Sequence, residues 1–133
     1  MPLPNPLTQY NYPTGNTMND MSYMANGMGY ASQYNITAHA GGGQALGVPL
    51  TAGTCWVTTV GTAGDSVCLP SAVGGQYVTV INDTSTSMNV FSSNATPTDT
   101  INGTAGTTAL AVGPNKVINF VSRPGAWRGL LSA

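Results

Sequence analysis

The sequence predicts an all-β body, a small sandwich or barrel, carried behind an extended N-terminal arm with at most one short helix. Three observations lead there. From about Gln44 onward, apolar residues recur at alternate positions in short runs. Gly, Pro, Asn or Asp punctuates nearly every gap between those runs. Residues 1–40 differ in kind, being rich in Pro, Tyr and Met and almost without charge.

The β body divides into expected strands at Leu46–Leu50, Thr54–Val60, Ser66–Leu69, Gln76–Ile81, Met88–Ser92, Thr107–Val112, Lys116–Ser122 and Ala126–Leu131. The clearest signal is Gly75 to Ser92, read as a β-hairpin. Val78 and Val80 share a face, Met88 and Val90 repeat the period on the return, and Asn82 to Ser87 supply the turn. The echo of Gly61-Thr-Ala-Gly64 in Gly103-Thr-Ala-Gly106 suggests a second such hairpin, from about Thr107 to Ser122, with the pair lying in two facing sheets. Inward-facing candidates are Val57, Val67, Leu69, Val78, Val80, Val90, Ile101, Leu110, Val112, Ile118, Phe120 and Leu130. A body of about 85 residues buries only roughly 60–65% of its unfolded surface, so oligomerisation would help it.

In the arm, Pro2, Pro4, Pro6 and Pro13 favour extended, polyproline-like backbone over residues 1–15. Thr17-Met-Asn-Asp20 resembles a capping box. Met18, Met21, Ala25 and Met28 then share one helical face, which predicts a short helix from about Met18 to Gly27. That stripe either packs on the β body or docks on a partner through adaptable thioethers. Tyr10, Tyr12, Tyr23, Tyr30 and Tyr34 favour contact with another surface. Fully extended, residues 1–34 reach on the order of 110 Å. Ala40-Gly-Gly-Gly43 reads as a hinge, so the expected divisions are an arm at 1–40, a hinge at 41–43 and a β body at 44–133.

Charge excludes several functions. The charged residues are Asp20, Asp65, Asp83, Asp99, Lys116, Arg123 and Arg128, for a net charge of −1 with no Glu. No basic cluster exists for nucleic acid or anionic lipid. No apolar run approaches the roughly 20 residues of a membrane span. The opening Met1-Pro-Leu-Pro-Asn-Pro6 lacks a basic start and an apolar core region, so no secretory leader is expected. So little charge suits life inside an assembly, with a secreted Thr/Asn-rich β domain as the other reading.

Catalytic chemistry finds little material, and no catalytic, metal or cofactor site is expected. His39, the single histidine, lies beside the glycines. The four Asp are scattered, and Asp65 and Asp83 fall at turns where Asp serves the backbone. Cys55 and Cys68 sit on either side of the Gly61–Asp65 turn and read as two buried thiols, with a cross-strand bridge as the other possibility. Trp56 and Trp127 are either core residues or sugar-stacking platforms.

Taken together, Val57-Thr-Thr-Val60, Val67-Cys-Leu-Pro70, Val78-Thr-Val-Ile-Asn82 after Gly75, Asn89-Val-Phe91, Asp99-Thr-Ile-Asn102, Leu110, Gly113, Phe120 and Trp127 with Leu130 resemble a small β domain of tailed-bacteriophage virion proteins. That group includes capsid decoration (cement) proteins and head fibres. The resemblance spans residues 51–133 and implies a jelly-roll-like β-sandwich, usually trimeric, that binds a virion surface. The cysteine pair and the Met/Tyr arm depart from the pattern. The expectation is therefore a non-enzymatic homotrimeric decoration protein on the outer surface of the capsid, assembled in the host cytoplasm, with the major capsid protein as partner. The contact residues Tyr10, Tyr12, Met18, Met21, Tyr23, Met24 and Met28 rest on arm composition alone. The alternative is a fibre or receptor-binding module that recognises host glycan through Trp56 or Trp127.

Overall fold

Alternating apolar residues commit a segment to a half-buried strand, but they leave open which other strand it pairs with. A computed structural model, describing residues 31–131, supplies the pairing. The strands are β1 (Ser32–Thr37), β2 (Val48–Pro49), β3 (Thr54–Thr59), β4 (Ser66–Cys68), β5 (Tyr77–Asn82), β6 (Met88–Phe91), β7 (Thr100–Ile101), β8 (Leu110–Val112), β9 (Val117–Arg123) and β10 (Ala126–Leu131). A single helical turn, α1 (Gly43–Leu46), precedes β2.

The strands form a six-stranded sheet, β1-β3-β5-β9-β10-β7, and a four-stranded sheet, β2-β4-β6-β8. From β1 to β6 the chain alternates between the sheets at every step. Odd strands pair in parallel with odd and even with even, so Ser32 lies beside Thr54, Thr54 beside Thr79, Val48 beside Val67 and Val67 beside Val90. The result is a solenoid-like winding whose coils take up about 19 to 25 residues. Antiparallel strands then close it, β8 on β6, β9 on β5 and β10 on β9.

The space between the sheets is filled by inward side chains in cross-strand rows. Cys55, Val80 and Ile118 form one row of the six-stranded sheet, and Val67 and Val90 face them from the other, all fully buried. Trp127 is 0% exposed, packs edge-on against Phe120 at 6.3 Å between ring centroids, and donates its Nε1–H to the Pro70 carbonyl at 3.2 Å. Gly129 lies opposite Phe120, where an added Cβ would come within 2.7 Å of the ring. The absence of a side chain lets the ring cover that strand.

Several expectations change. The all-β class holds, but the jelly-roll arrangement of antiparallel neighbours does not, because β1, β3 and β5 are parallel, as are β2, β4 and β6. The expected hairpin Gly75 to Ser92 is a corner, since β5 and β6 belong to different sheets, and β8 and β9 are separated in the same way. A short polar turn between two period-2 segments serves either purpose. The glycine hinge is instead built into the body: His39 and Ser66 exchange backbone hydrogen bonds at 2.9 Å, and α1 packs on β4. The body therefore begins at Ser32 rather than Gln44; β1 is hidden in the sequence by Asn35, whose φ of 57° interrupts the alternation. Leu130 is 76% exposed, because Trp127 and Gly129 take the inward positions of β10. Leu110 is half-buried, and the other ten inward candidates are buried.

Asn82 holds the β5–β6 corner. Its Nδ2 donates to the carbonyls of Thr86 (2.8 Å), Val112 (3.0 Å) and Gly113 (3.0 Å), while its Oδ1 accepts from Thr84 Oγ1 at 2.7 Å. Asn82→Ala leaves buried carbonyls without a donor and should lower unfolding free energy by about 2–3 kcal/mol. Urea denaturation measures this against Ser85→Ala, at an exposed position on the same corner, which should shift stability by less than about 0.5 kcal/mol.

Candidate interaction surface

The two sheets differ in how their outer faces are treated. On the four-stranded sheet, Ser66 and Cys68 point outward and are nonetheless fully buried. Ser66 Oγ donates to the Gly43 carbonyl at 3.2 Å and Cys68 Sγ to the Gln44 carbonyl at 3.1 Å, so α1 lies over this face. Gly47 permits the close approach, since a Cβ there would sit 2.5 Å from Cys68 Sγ. Gln44 then ties α1 to the segment after β6, its Nε2 donating to Ser92 Oγ at 2.7 Å and to the carbonyls of Pro97 (3.2 Å) and Ser93 (3.3 Å). The cover lies over β4, while Pro49 of β2 and Ala111 of β8 stay exposed.

The six-stranded sheet leaves four large apolar side chains exposed on its outer face. Because Cys55, Val57, Val78, Val80, Ile118 and Phe120 point inward, their neighbours Trp56, Tyr77, Thr79, Ile81, Val117, Asn119 and Val121 point out. Register lines up Trp56, Ile81 and Val117 in one row, and Tyr77, Val121 and Arg128 in another. Tyr34 meets half-buried Trp56 edge-on at 6.2 Å on the β1–β3 side. Toward β10 the face dips into a groove of about 310 Å³ lined by Tyr77, Asn119, Val121, Arg128 and Leu130. Tyr34 is 62%, Tyr77 66%, Val121 39% and Leu130 76% exposed. The exposed apolar side chains fall in two groups, Tyr34 beside Trp56 and Tyr77 with Val121 and Leu130, with the polar Thr79–Asn119 pair between the two rows.

The sheet edges are poor contact sites. β1 is kinked at Asn35, β2 is two residues long and carries Pro49, β7 has two residues and β8 three. Bulges, prolines and short edge strands all discourage strand addition.

The sequence-predicted contact residues Tyr10, Tyr12, Met18, Met21, Tyr23, Met24 and Met28, and the expected helix from Met18 to Gly27, lie outside the described residues. Trp127 is a core residue and presents no sugar platform; Trp56 is half-buried on the outer face beside Tyr34. His39 is exposed and is held through its backbone. Asp65, 3% exposed, accepts from the backbone N–H groups of Gly61 (2.9 Å), Thr62 (3.0 Å) and Gly41 (3.3 Å), the turn role expected of it. Asp99 does the same, accepting from Ala72 N–H at 2.8 Å and from Thr96 Oγ1 at 2.6 Å. Among the described residues, no group of three or more His, Cys, Asp or Glu could hold a metal ion, and no helix is long and apolar enough to cross a membrane. Comparison with protein-family models, curated proteins and solved structures finds no match to the chain.

Sequence reasoning misses the outer face because the arm's aromatics stand out first and Val121 and Leu130 pass as ordinary strand residues. The signal is present in apolar residues on both faces of β5 and β9, where a solvated sheet would alternate apolar with polar.

Cys55 and Cys68 are free buried thiols in different sheets. Burial pushes the Cys55 thiol up, opposed in part by backbone groups at Ala52 and Thr51. Burial likewise pushes Cys68 up against Asn94 and Gly47. A raised folded value means that this contribution to stability is complete below the unfolded thiol value of about 8.5 and is lost as pH rises through the folded value. Unfolding free energy measured by urea titration should therefore fall above about pH 8.5. The fall should be shallower in the Cys55→Ala/Cys68→Ala variant.

Proposed function

We propose that this chain is a non-enzymatic structural protein of a tailed-phage virion, a decoration (cement) protein that binds and stabilises the assembled head. It acts as a homotrimer on the outer surface of the capsid. The observation that carries the reading is a division of labour along the chain. A β body with sealed corners spends its buried carboxylates on backbone N–H groups, and a Tyr- and Met-rich segment precedes it. The body offers a sheet surface with few charges, Arg128 among them, and its edges are protected against uncontrolled strand pairing.

Stabilisation works by mass action. A protein that binds only the expanded shell favours that state by its binding free energy, about 2.7 kcal/mol per site when free protein is at 100 times Kd. Many sites acting together resist internal pressure. Tyr10, Tyr12, Met18, Met21, Tyr23, Met24 and Met28 supply the contacts with the major capsid protein, large amphipathic rings for area and thioethers for irregular gaps. A chain with net charge −1 suits this task, because binding then depends little on ionic strength.

Deleting residues 1–30 tests the reading and spares β1. The truncated body should keep its β-type circular dichroism and lose at least tenfold in affinity for expanded empty heads in co-sedimentation. Unchanged affinity would overturn the role of the arm.

A further inference from the structure

We infer that Asn102–Gly103 is a self-modification site, at which the chain converts Asn102 to aspartate or isoaspartate and so releases the β7 edge. The inference is independent of the role in a virion.

The turn exposes the reacting groups. Ile101 and Thr104 exchange backbone hydrogen bonds at 3.1 and 2.9 Å, which leaves Asn102 and Gly103 as the central residues. Their φ values of 52° and 83° are the left-handed pair that a two-residue hairpin turn requires, and Asn-Gly adopts it readily. Both residues are exposed. The Gly103 N–H lies outside the bonds that close the turn, and no side chain shields it.

The Asn102 side chain also has a structural duty. β7 runs parallel to β10, with Thr100 N–H donating to the Gly125 carbonyl at 3.1 Å and Asn102 N–H to that of Trp127 at 2.9 Å. The next rung falls at Gly129, where the chain of β7 has already turned away. The Asn102 amide replaces the missing peptide group. Its Oδ1 accepts from Gly129 N–H at 2.9 Å, and its Nδ2 donates to the Gly129 carbonyl at 3.3 Å. Reaction therefore waits for this clamp to open. β7 is a two-residue edge strand, the kind of element that opens locally ahead of the core.

Once the clamp is open, the Gly103 nitrogen gives up its proton and attacks Asn102 Cγ. The new C–N bond forms as the Cγ–Nδ2 bond breaks, and the side-chain amide takes up a proton and leaves as ammonia. Water then adds to either carbonyl of the succinimide ring and cleaves its C–N bond, giving aspartate or isoaspartate. Water is the only co-reactant. Neither product keeps the Nδ2 donor, so a carboxylate oxygen faces the Gly129 carbonyl and the rung cannot re-form. Isoaspartate also adds a carbon to the main chain of a tight turn. The guanidinium of Arg128 lies close to Gly103, with Nη1 3.7 Å from where a Cβ would stand, and offers the new carboxylate another partner. Ile101, 1% exposed and beside Trp127, loses the anchor next to it, so the change reaches the core.

The experiment ages the full chain at mildly alkaline pH, which favours loss of the Gly103 proton. Peptide mapping by mass spectrometry, with aspartyl and isoaspartyl forms separated by chromatography, reads conversion at each Asn. A synthetic peptide of residues 99–106 is the unclamped reference. Asn102 should convert ahead of exposed Asn115 and Asn119, and about tenfold or more slowly than in the peptide, as the two bonds of the clamp require. In the isoaspartyl fraction, Gly129 N–H should exchange with solvent about tenfold faster than in fresh protein, while Val80 N–H is unchanged. Asn102→Asp should show the same faster exchange without ageing. If that variant does not fold, the aged fraction carries the measurement. An Asn102 that stays intact while the peptide converts, that converts as fast as the peptide, or whose conversion leaves Gly129 exchange unchanged would overturn the inference.

Discussion

A chain that alternates between two sheets leaves the hydrogen-bond ladder at every step, and each backbone group released at a corner must find a partner elsewhere. In this protein, short polar side chains answer that demand. Asp65 collects two N–H groups at the β3–β4 corner and that of Gly41 before α1, Asn82 serves one carbonyl at the β5–β6 corner and two at the β8–β9 corner, and Gln44 pins α1 to the segment after β6. Asp99 joins the segment before β7 to Ala72. Parallel pairing in both sheets depends on these corners, because a parallel neighbour can be reached only after a full coil.

The same requirement accounts for part of the unusual charge. Asp65 and Asp99, half of the four acidic residues, are buried in corner duties. Little charge is left for the surface, and the outer face of the six-stranded sheet shows the consequence. A solvated sheet face normally alternates polar residues outward, yet β5 and β9 present Tyr77, Ile81, Val117 and Val121 there. The four-stranded sheet resolves its own outer face internally, with α1 laid over Ser66 and Cys68. Covered over β4 on one side and carrying exposed apolar residues on the other, the body has two unlike faces, an asymmetry that would suit the proposed role in an assembly.

The strands are legible in the sequence, while their neighbours are hidden. Period-2 alternation locates β3 to β6 and β8 to β10 within a few residues, and the inward positions of Val57, Val78, Val80, Ile118 and Phe120 follow from it. Alternation carries no information about pairing, so the turn at Asn82–Ser87 passes for a hairpin when it is a corner. β1 escapes because Asn35 breaks its period, and β7 because two residues have none. The Gly41–Gly43 run looks like a joint, yet backbone bonds between His39 and Ser66 fix it against β4. The outer face is legible only in part: Trp56 stands out, but its meeting with Tyr34 depends on the parallel register of β1 and β3.

In the proposed role, this body and its N-terminal segment serve many equivalent positions on one shell. Copy number per particle decides the matter, by quantitative mass spectrometry of purified virions against the major capsid protein. A decoration role predicts copies on the order of hundreds, as repeated sites acting by mass action require. A handful of copies per particle would overturn that role and place the protein at a single vertex or fibre.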